Sequence, residues 1–284
     1  MWIEVDAQLK TLIGAILIVM PSVGAHCRTV PATPVSMWRL DCGTLDVDLS
    51  TFSDTGLYAG ERRTLVASCY LIKHGRRFLL WDTGLDGALA GKPKDKEGSF
   101  LRERLVAQLD RVGLKPSDVS FVGISHYHYD HVGQAADFPE ATLLIGKKDL
   151  EVVVSREQLR ARFAPWLAGC TNVEEVAGDK DVFGDGQVTM LALPGHTPGH
   201  SALLVRLASG SVLLSGDQYH FSEQIANRGV PAFNADRADT LASHDRFDRL
   251  AKNLGARVII QHEPRDVAKL PDISTAAAAA TPSK

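Results

Sequence analysis

One short segment constrains the fold of this chain more than any other. Within residues 125–131, Ser-His-Tyr-His-Tyr-Asp-His, four good metal ligands fall in six consecutive positions: His126, His128, Asp130 and His131. The apolar residues 119–124 predict a buried strand before it, and side chains two apart at a strand's end point the same way, so His126 and His128 can share one metal ion. If a helix follows, its turn directs Asp130 and His131 toward a neighbouring position, where they can hold a second metal ion. The segment therefore predicts the nucleus of a two-metal site.

The ligand types indicate which metals would bind. Imidazole and carboxylate groups together suit zinc, although iron, manganese and cobalt accept the same set. We predict two divalent metal ions, with zinc as the first choice. The alternative is a loop of exposed histidines that binds nothing. Four ligands at this density, beside Gly123 and Gly133, favour metal binding.

Composition sets the broad class. The chain has 284 residues, of which 45% are hydrophobic and 23% charged, as in an ordinary globular enzyme. The formal net charge is -3 with both signs interspersed, so we expect no nucleic-acid partner. The four cysteines have no Cys-x-x-Cys spacing, which excludes a zinc finger or a thioredoxin-type redox pair. We expect Cys42 and Cys69 to be buried free thiols, with a disulfide between them as the alternative in an exported protein.

The amino terminus carries a targeting pattern. Residues 11–20 form an apolar run followed by small residues, which is typical of a secretory signal, although Glu4 and Asp6 make the start atypically acidic. The run is shorter than the roughly 20 residues of a membrane-spanning helix. We predict a cleaved signal over 1–25, a periplasmic or secreted bacterial protein, and no stable membrane association after cleavage. An uncleaved anchor and a misread cytosolic extension remain as alternatives.

Beyond a linker over 26–35, no break in composition divides residues 36–270, so we predict one domain there and a mobile Ala-rich tail over 271–284. The chain reads twice as strands followed by helices, which two sheets packed face to face with helices outside would satisfy. The polar loop 50–63 is of the kind that can arch over a site. Hydrophobic patterning predicts strands at 37–40, 45–49, 64–73, 77–82, 119–124, 141–145, 188–193, 201–206, 212–214 and 258–261, and helices at 100–112, at 147–163 (one or two, ended by Pro165) and at about 240–253.

Three further candidate ligands, His196, Asp217 and His262, follow predicted strands in the second half. They lie 65, 21 and 45 residues after His131, His196 and Asp217, respectively. Together with the first segment they resemble the metal-binding signature of the metallo-β-lactamase superfamily, in its dinuclear branch, over about residues 36–265. The resemblance implies an α+β fold: an αββα sandwich of two mixed β-sheets with helices on the outer faces and the site at one edge.

The resemblance also implies roles. The first metal ion would be held by His126, His128 and His196, the second by Asp130, His131 and His262, with Asp217 bridging both. Two cations that share a water lower its pKa to near neutrality and supply hydroxide in place. No protein nucleophile is then required, and the sequence has no Gly-x-Ser-x-Gly elbow that would offer one.

The substrate is indicated by the stretch that follows Asp217. Asp217-Gln-Tyr-His-Phe-Ser-Glu-Gln, with the earlier Leu-Trp-Asp-Thr-Gly-Leu, resembles the N-acyl-homoserine lactonase group, which implies hydrolysis of a small-molecule lactone. In that group a tyrosine three residues after the bridging aspartate contacts the lactone, whereas here His220 has that place and Tyr219 precedes it. Either side chain could donate a hydrogen bond to the carbonyl or the leaving alkoxide. Alternatively, His220 orients a metal ligand. Asp130, Tyr219 and His220 are the candidate catalytic residues.

Other residues carry weaker expectations. His200 is expected to stabilise a turn or orient a ligand, and His244 to be an ordinary surface or core histidine. A homodimer is implied by the resemblance, with loop 50–63 as one contact. The wall for an acyl chain could include Phe52, Tyr58, Trp166, Phe221 and Phe233.

Competing functions use the same ligands. A secreted organophosphate triesterase or another esterase is the main alternative, because the same hydroxide can attack phosphorus. A β-lactamase role is disfavoured, since the family's β-lactamases lack the bridging aspartate at Asp217. A non-catalytic or redox module is disfavoured by His196, where redox use would favour an acidic residue.

Overall fold

The computed structural model describes residues 33–169 and 172–276. The predicted signal over 1–25, most of the linker, Cys170 and residues 277–284 lie outside this part of the chain. None of the helices in the described ranges combines the length and the hydropathy that a membrane-spanning segment requires. The signal, its cleavage and the export of the protein therefore stay predictions.

The described residues form strands and helices joined by short turns. The strands are β1 Val35–Asp48, β2 Arg62–His74, β3 Arg77–Trp81, β4 Ser99–Phe100, β5 Phe121–Ile124, β6 Thr142–Gly146, β7 Val173–Val176, β8 Lys180–Asp181, β9 Val188–Ala192, β10 Ser201–Leu207, β11 Gly210–Leu214 and β12 Arg257–Ile259. The helices are α1 Leu105–Asp110, α2 Tyr129–Val132, α3 Lys147–Ser155, α4 Glu157–Arg160, α5 Ala164–Leu167, α6 Glu223–Asn227, α7 Arg237–Leu254 and α8 Pro264–Val267.

Within the described residues, the strands form two mixed sheets. The larger has the order β4-β1-β2-β3-β5-β6-β7, antiparallel through β3 and parallel from β3 to β7. The smaller has the order β12-β11-β10-β9-β8, in which β11 and β12 are parallel and the other pairs antiparallel. The ends of β5, β9, β11 and β12 lead into the segments that carry the candidate ligands.

Alternation along the strands creates the layers. Tyr70 and Ile72 of β2 face the core between the sheets, whereas Leu71 faces the outer layer that contains α1 and α3. In the smaller sheet, Leu203 faces the same inner core and Leu204 faces outward, where α7 packs through Phe247. The result is an αββα sandwich, so the predicted fold is confirmed.

Several local predictions were wrong for tertiary reasons. The predicted strands at 37–40 and 45–49 are a single strand, because β1 continues through a bulge between Asp41 and Thr44 and ends at Asp48. The predicted helix 100–112 shrinks to α1, since Phe100 pairs instead with Thr44 at the edge of the sheet. Pro165 does not end a helix; it lies in the first turn of α5, where a missing N–H is tolerated.

The packed domain also extends past residue 270. Ile273 is buried, and the backbone N–H of Arg39 on β1 donates to the carbonyl of Pro271. The side chains of Arg39 and Asp272 form an ion pair of 3.2 Å. The first part of the predicted tail is therefore ordered against the sheet, while residues 277–284 lie outside the described residues.

The expectation of free thiols was wrong. A disulfide joins Cys42 at the bulge of β1 to Cys69 on β2, with both residues fully buried. The two strands are neighbours in the antiparallel sheet, which brings the Cα atoms to 5.9 Å, a separation that a disulfide spans.

Candidate metal centre

Residues 125–131, which carry the four closely spaced ligands, lie directly after β5 in the larger sheet. His126 and His128 follow the strand, with His128 in extended backbone at the start of α2, and the single turn of α2 then carries Asp130 and His131. Asp82, at the end of β3, accepts a hydrogen bond of 2.7 Å from the backbone N–H of Ser125 and fixes the start of the segment. Asp82 has a φ of 57°, in the left-handed region, a strain typical of functional sites.

The first group of candidate ligands gathers around His196. Its Nε2 lies 3.2 Å from Nε2 of His126 and 3.0 Å from Nδ1 of His128. Asp217 completes the group, with Oδ2 at 3.2 Å from His196 and 3.5 Å from His126. One ligand atom from each of the four residues lies within 4.8 Å of all the others, so the group can enclose one ion.

The second group lies on the other side of Asp217. Nε2 of His131 and Nε2 of His262 are 3.1 Å apart, and Oδ2 of Asp130 is 3.8 Å and 3.7 Å from them. Oδ1 of Asp217 lies 3.1 Å from His131 and 3.0 Å from His262. One carboxylate oxygen of Asp217 thus faces each group, which is the geometry of a bridging ligand.

Hydrogen bonds behind the histidines determine which ring nitrogen carries the proton and which is bare, that is, unprotonated and able to bind a metal ion. Nδ1 of His262 lies 2.7 Å from the backbone carbonyl of Val66, and Nδ1 of His131 lies 3.0 Å from Asp82. Both partners only accept, so the neutral rings carry their proton on Nδ1 and direct an unprotonated Nε2 inward. Two bare nitrogens then face each other and an oxygen of Asp217.

The same argument holds for His196. Its Nδ1 is 2.8 Å from Oδ1 of Asn234, whose amide is oriented because Nδ2 donates to Thr240, and the hydroxyl of Thr240 itself donates to a backbone carbonyl. Acceptors converge at the centre without donors between them, and the buried Oδ1 of Asp217 has no hydrogen-bond partner. Such an arrangement is repulsive unless cations lie inside it, so the residues fit divalent metal ions.

Burial and the carboxylates of the centre act on these groups in opposite directions. Burial lowers the pKa of His126 and His128 well below the ordinary histidine value, which keeps their nitrogens free to bind metal. Burial would also lower the pKa of His131 and His262, but the carboxylates of Asp217 and Asp130 outweigh it and raise both pKa values. Burial would raise the pKa of Asp217, but the surrounding histidines outweigh it and hold that pKa well below its usual value. The centre therefore keeps Asp217 ionised and His126 and His128 neutral.

His200 and His244 lie behind the centre. Nε2 of His200 accepts the backbone N–H of Asp217 at 2.9 Å, while Nδ1 donates to the carbonyl of Leu193, so this buried histidine positions Asp217. His244 on α7 is buried, bonds through Nε2 to the carbonyl of Gln218 and stacks on Tyr219. Among the described residues, neither of these two histidines belongs to a ligand group.

The two candidate catalytic residues after Asp217 point in opposite directions. The hydroxyl of Tyr219 donates to Asp248 on α7 at 3.1 Å, and its ring is buried on the outer face of the smaller sheet, so it does not reach the centre. His220 faces the centre, with Nε2 at 3.0 Å from Oδ2 of Asp217. Of the two alternatives in the sequence, the structure brings only His220 to the site.

A cavity of about 420 Å³ lies against the candidate metal centre, where Asp130, Asp217, His220 and His262 line it. Phe52 from loop 50–63 and Phe233 form its roof, with their ring centroids 5.4 Å apart. Its other wall is apolar and comes from three strand residues and one exposed aromatic: Leu45, Val47, Leu65 and Tyr129.

The sequence predicted this wall only in part. Phe52 and Phe233 line the cavity, whereas Phe221 and Tyr58 pack behind Phe52. The prediction that Trp166 lines the cavity was wrong, because this residue packs in the outer core and its indole N–H donates to the carbonyl of Ala141. The strand residues of the wall were missed, since alternation indicates an apolar face but not where that face opens to solvent.

The groups that orient the ligands were also missed. For Asp82 the sequence offers a signal, because Asp-Thr-Gly closes a strand beside the ligand strand. Asp149 had no such signal: it is buried on α3 and accepts from the hydroxyl of Thr197 at 2.8 Å and the N–H of Gly199 at 2.6 Å. Burial raises the pKa of Asp149 to about 6. It ties the turn after His196 to the helical layer.

Comparisons with known proteins agree with this geometry. Residues 62–262 match the family model of the Metallo-beta-lactamase superfamily. The chain is 31% identical over 212 residues to the N-acyl homoserine lactonase AttM of Azorhizobium caulinodans, covering 69% of this chain and 81% of that protein.

Solved structures show the same fold. An N-acyl homoserine lactone hydrolase with the product N-hexanoyl-L-homoserine bound at its catalytic metal centre superposes with a TM-score of 0.71 at 23% identity, covering 85% of this chain and 98% of that one. AidC, a dizinc quorum-quenching lactonase in complex with the same type of product, gives a TM-score of 0.63 at 18% identity over 83% and 90% of the two chains. At these identities the likeness establishes the fold alone.

Proposed function

Because the chain belongs to the metallo-beta-lactamase superfamily, we propose that it is a metal-dependent hydrolase that opens the lactone ring of N-acyl-homoserine lactones and so inactivates a bacterial signal. The observation that carries the proposal is the position of the two ligand groups at the end of a largely apolar cavity. An acylated lactone has a polar ring and an apolar chain, which match these two parts.

When bound, two divalent cations that share a water lower its pKa toward neutrality and polarise the carbonyl of the substrate. The chain's own residues do the rest. The roof and the strand wall bind the acyl chain and exclude water around the ring. Asp130 lines the cavity as well as belonging to the second ligand group, so it is placed to carry a proton to the leaving alkoxide.

We further propose that the two ions are zinc. Nitrogen and carboxylate oxygen ligands suit zinc, and AidC, which shares the fold, is described as a dizinc lactonase. Metal analysis of protein purified without added metal tests the identity and the number of ions, and a content of one ion per chain would contradict the bridged pair.

The function is tested with metal-replete protein and lactones of graded acyl-chain length. We expect ring opening with kcat/KM that rises with chain length, full loss on chelation, and recovery with zinc or cobalt. Ring opening that persists in metal-stripped protein would exclude the proposal. If a paraoxon-like triester has the higher kcat/KM, the phosphotriesterase alternative is favoured.

A pair of histidine variants controls this assay. His128→Gln removes one ligand of the first group, so activity and metal content should fall together. His74→Gln also removes a histidine, but His74 pairs with Asp185 between β2 and the segment after β8, outside both ligand groups. We expect the His74 variant to keep its metal content and its kcat/KM within about threefold, because distant sites act independently.

We also propose that the protein is exported. The disulfide between Cys42 and Cys69 supports this, since structural disulfides form in oxidising compartments such as the periplasm. Fractionation of the native bacterium with thiol labelling tests it: protein found in the cytoplasm with both thiols free would contradict export. The homodimer stays a prediction that size measurement in solution can check.

A further inference from the structure

Five histidines direct Nε2 toward the carboxylate of Asp217. Four of them belong to the ligand groups, and three of these, His131, His196 and His262, have Nδ1 occupied by a hydrogen-bond acceptor; the other ligand is His126. The fifth histidine is His220, which no ligand motif in the sequence includes. Its surroundings follow the same pattern.

Gln224 is the partner of His220, and its amide has one possible orientation. Its Nε2 donates to the carbonyl of Phe52 at 3.0 Å, and its Oε1 accepts the backbone N–H of His220 at 2.6 Å. The reverse orientation would place donor against donor and acceptor against acceptor. The oxygen of Gln224 therefore faces His220, and it also lies 3.3 Å from Nδ1 of that ring.

This contact fixes the tautomer of His220. Because Oε1 can only accept, the proton of the neutral ring lies on Nδ1, and Nε2 carries a lone pair. A doubly protonated ring beside two divalent cations would be repelled, so the neutral form is the one compatible with a loaded centre. In that form Nε2 has no proton to donate, which argues against His220 as a hydrogen-bond donor to the lactone carbonyl.

The bare nitrogen is buried and has no hydrogen-bond partner. The side chain of His220 is 3% exposed, and Nε2 lies 3.0 Å from Oδ2 of Asp217 without a hydrogen bond between them. A lone pair beside a carboxylate oxygen is stable only if a cation interacts with both. Oδ2 is the oxygen that faces His126 and His196.

From these contacts we propose that His220 is a further ligand of the metal centre, bound through Nε2 on the side of the first group and held in the required tautomer by Gln224. The inference rests on the proposed metal centre but not on its substrate. It assigns to this chain a metal-binding imidazole at the position where the resembling lactonases use tyrosine toward the substrate.

The test uses protein loaded with cobalt(II), whose visible absorption depends on the number and geometry of its ligands. Metal affinity is measured in parallel by competition with a chelator. The variants are His220→Leu, which removes the nitrogen, Gln224→Met, which removes the acceptor for Nδ1, and Gln224→Glu, which keeps an accepting oxygen. Gln108→Met is the matched control, since Gln108 is also buried and bonds to the backbone of Asp41, away from the centre.

We expect His220→Leu to change the cobalt spectrum and to weaken binding of one of the two ions by about tenfold or more, with the other ion little changed. Gln224→Met should shift both readouts in the same direction by a smaller factor, and Gln108→Met should match the wild type. Gln224→Glu keeps an accepting oxygen for Nδ1 but loses the donor to the carbonyl of Phe52, so it should lie closer to the wild type than Gln224→Met does. Circular dichroism checks that each variant folds. If His220→Leu does not fold, the contrast between the two Gln224 variants decides.

An unchanged cobalt spectrum with unchanged affinities in His220→Leu would overturn the inference, as would equal behaviour of Gln224→Met and Gln108→Met. Lactone hydrolysis is measured separately on the same samples. If the cobalt spectrum differs between wild type and His220→Leu but the wild type does not open lactones, only the proposed substrate is contradicted. If the wild type opens lactones but its cobalt spectrum is the same as that of His220→Leu, only this inference is contradicted.

Discussion

The floor and the roof of the cavity are built in different ways. The floor consists of the ligand groups around Asp217, whose histidines are nearly all buried and are oriented by buried acceptors behind them. The roof consists of Phe52 and Phe233 on two loops, and Phe233 is 45% exposed. Two backbone hydrogen bonds join the loops, from Ala232 to Thr51 and from Asp54 to Val230.

Because of this difference, we expect the floor to determine the chemical step and the roof to determine which substrates bind. A rigid floor holds reacting groups in place, and substitutions there should act on metal content and kcat. A roof of loop residues contacts only the apolar part of a substrate, so substitutions there should act on KM and on chain-length preference.

The largest effect is expected at the bridging residue. Asp217→Asn removes the negative charge that two cations would share, so metal content should fall below two per chain and kcat by more than about 10²-fold, beyond the usual cost of losing an outer partner. Metal analysis and steady-state kinetics measure this. Asp185→Asn, a carboxylate paired with His74, is the control and should leave both unchanged. A fully loaded and active Asp217 variant would remove the bridge from the floor.

A smaller effect is expected from the acceptors behind the ligands. In Asp82→Asn the oxygen that binds Ser125 can remain, but the amide nitrogen then faces His131 and disfavours the tautomer with Nε2 bare. We expect about 10-fold to 100-fold weaker binding of one ion, in the second group. Chelator competition measures both affinities.

Asn234→Leu provides the reciprocal case. It removes the acceptor behind His196, so the ion of the first group should be weakened and that of the second should not. If both variants weaken the same ion, or both ions equally, the assignment of ligands to two groups would be wrong.

The roof should respond to substrate rather than to metal. Phe52→Ala removes a buried ring that contacts His220 and Phe233, and we expect KM for long-chain lactones to rise about tenfold, the value of about 1.4 kcal/mol of lost apolar contact, with metal content unchanged. Short-chain lactones should change less. Phe183→Ala, in the β8–β9 segment outside the cavity, is the control. A matching loss of metal would place Phe52 with the floor.

The same division explains what the sequence could predict. His126 and His128 could be predicted as neighbours because they lie two residues apart after the end of one strand, and such a local pattern carries geometry. His196 lies 68 residues beyond His128, and only the family resemblance assigned it to the same ion. The acceptors behind the ligands also come from distant segments: Asp82 precedes His131 by 49 residues and Asn234 follows His196 by 38. No period or spacing encodes such pairs, since they exist only once the sheets have packed.

Tyr219 and His220 show the limit most clearly. Adjacent residues in an extended segment face opposite sides, so one of the two had to leave the site, but the sequence alone does not reveal which. The choice depends on Asp248 of α7 receiving the hydroxyl of Tyr219, and on Gln224 holding the other ring. The disulfide was misjudged for a similar reason, because the bulge that places Cys42 beside Cys69 arises from pairing between strands.

The smallest effect is expected at the outer support of the roof. Arg237 at the start of α7 pairs with Asp54, and the arginine side chain is 58% exposed, so solvent screens the pair. Arg237→Gln should lower the free energy of unfolding by less than about 1 kcal/mol, which is a Tm shift of a few degrees at most, and KM should stay within about twofold. Thermal unfolding and kinetics at low and high salt measure this. A tenfold rise in KM would mean that this exposed pair holds the loops of the roof in position as firmly as the buried acceptors hold the metal ligands of the floor. The distinction between floor and roof would then fail.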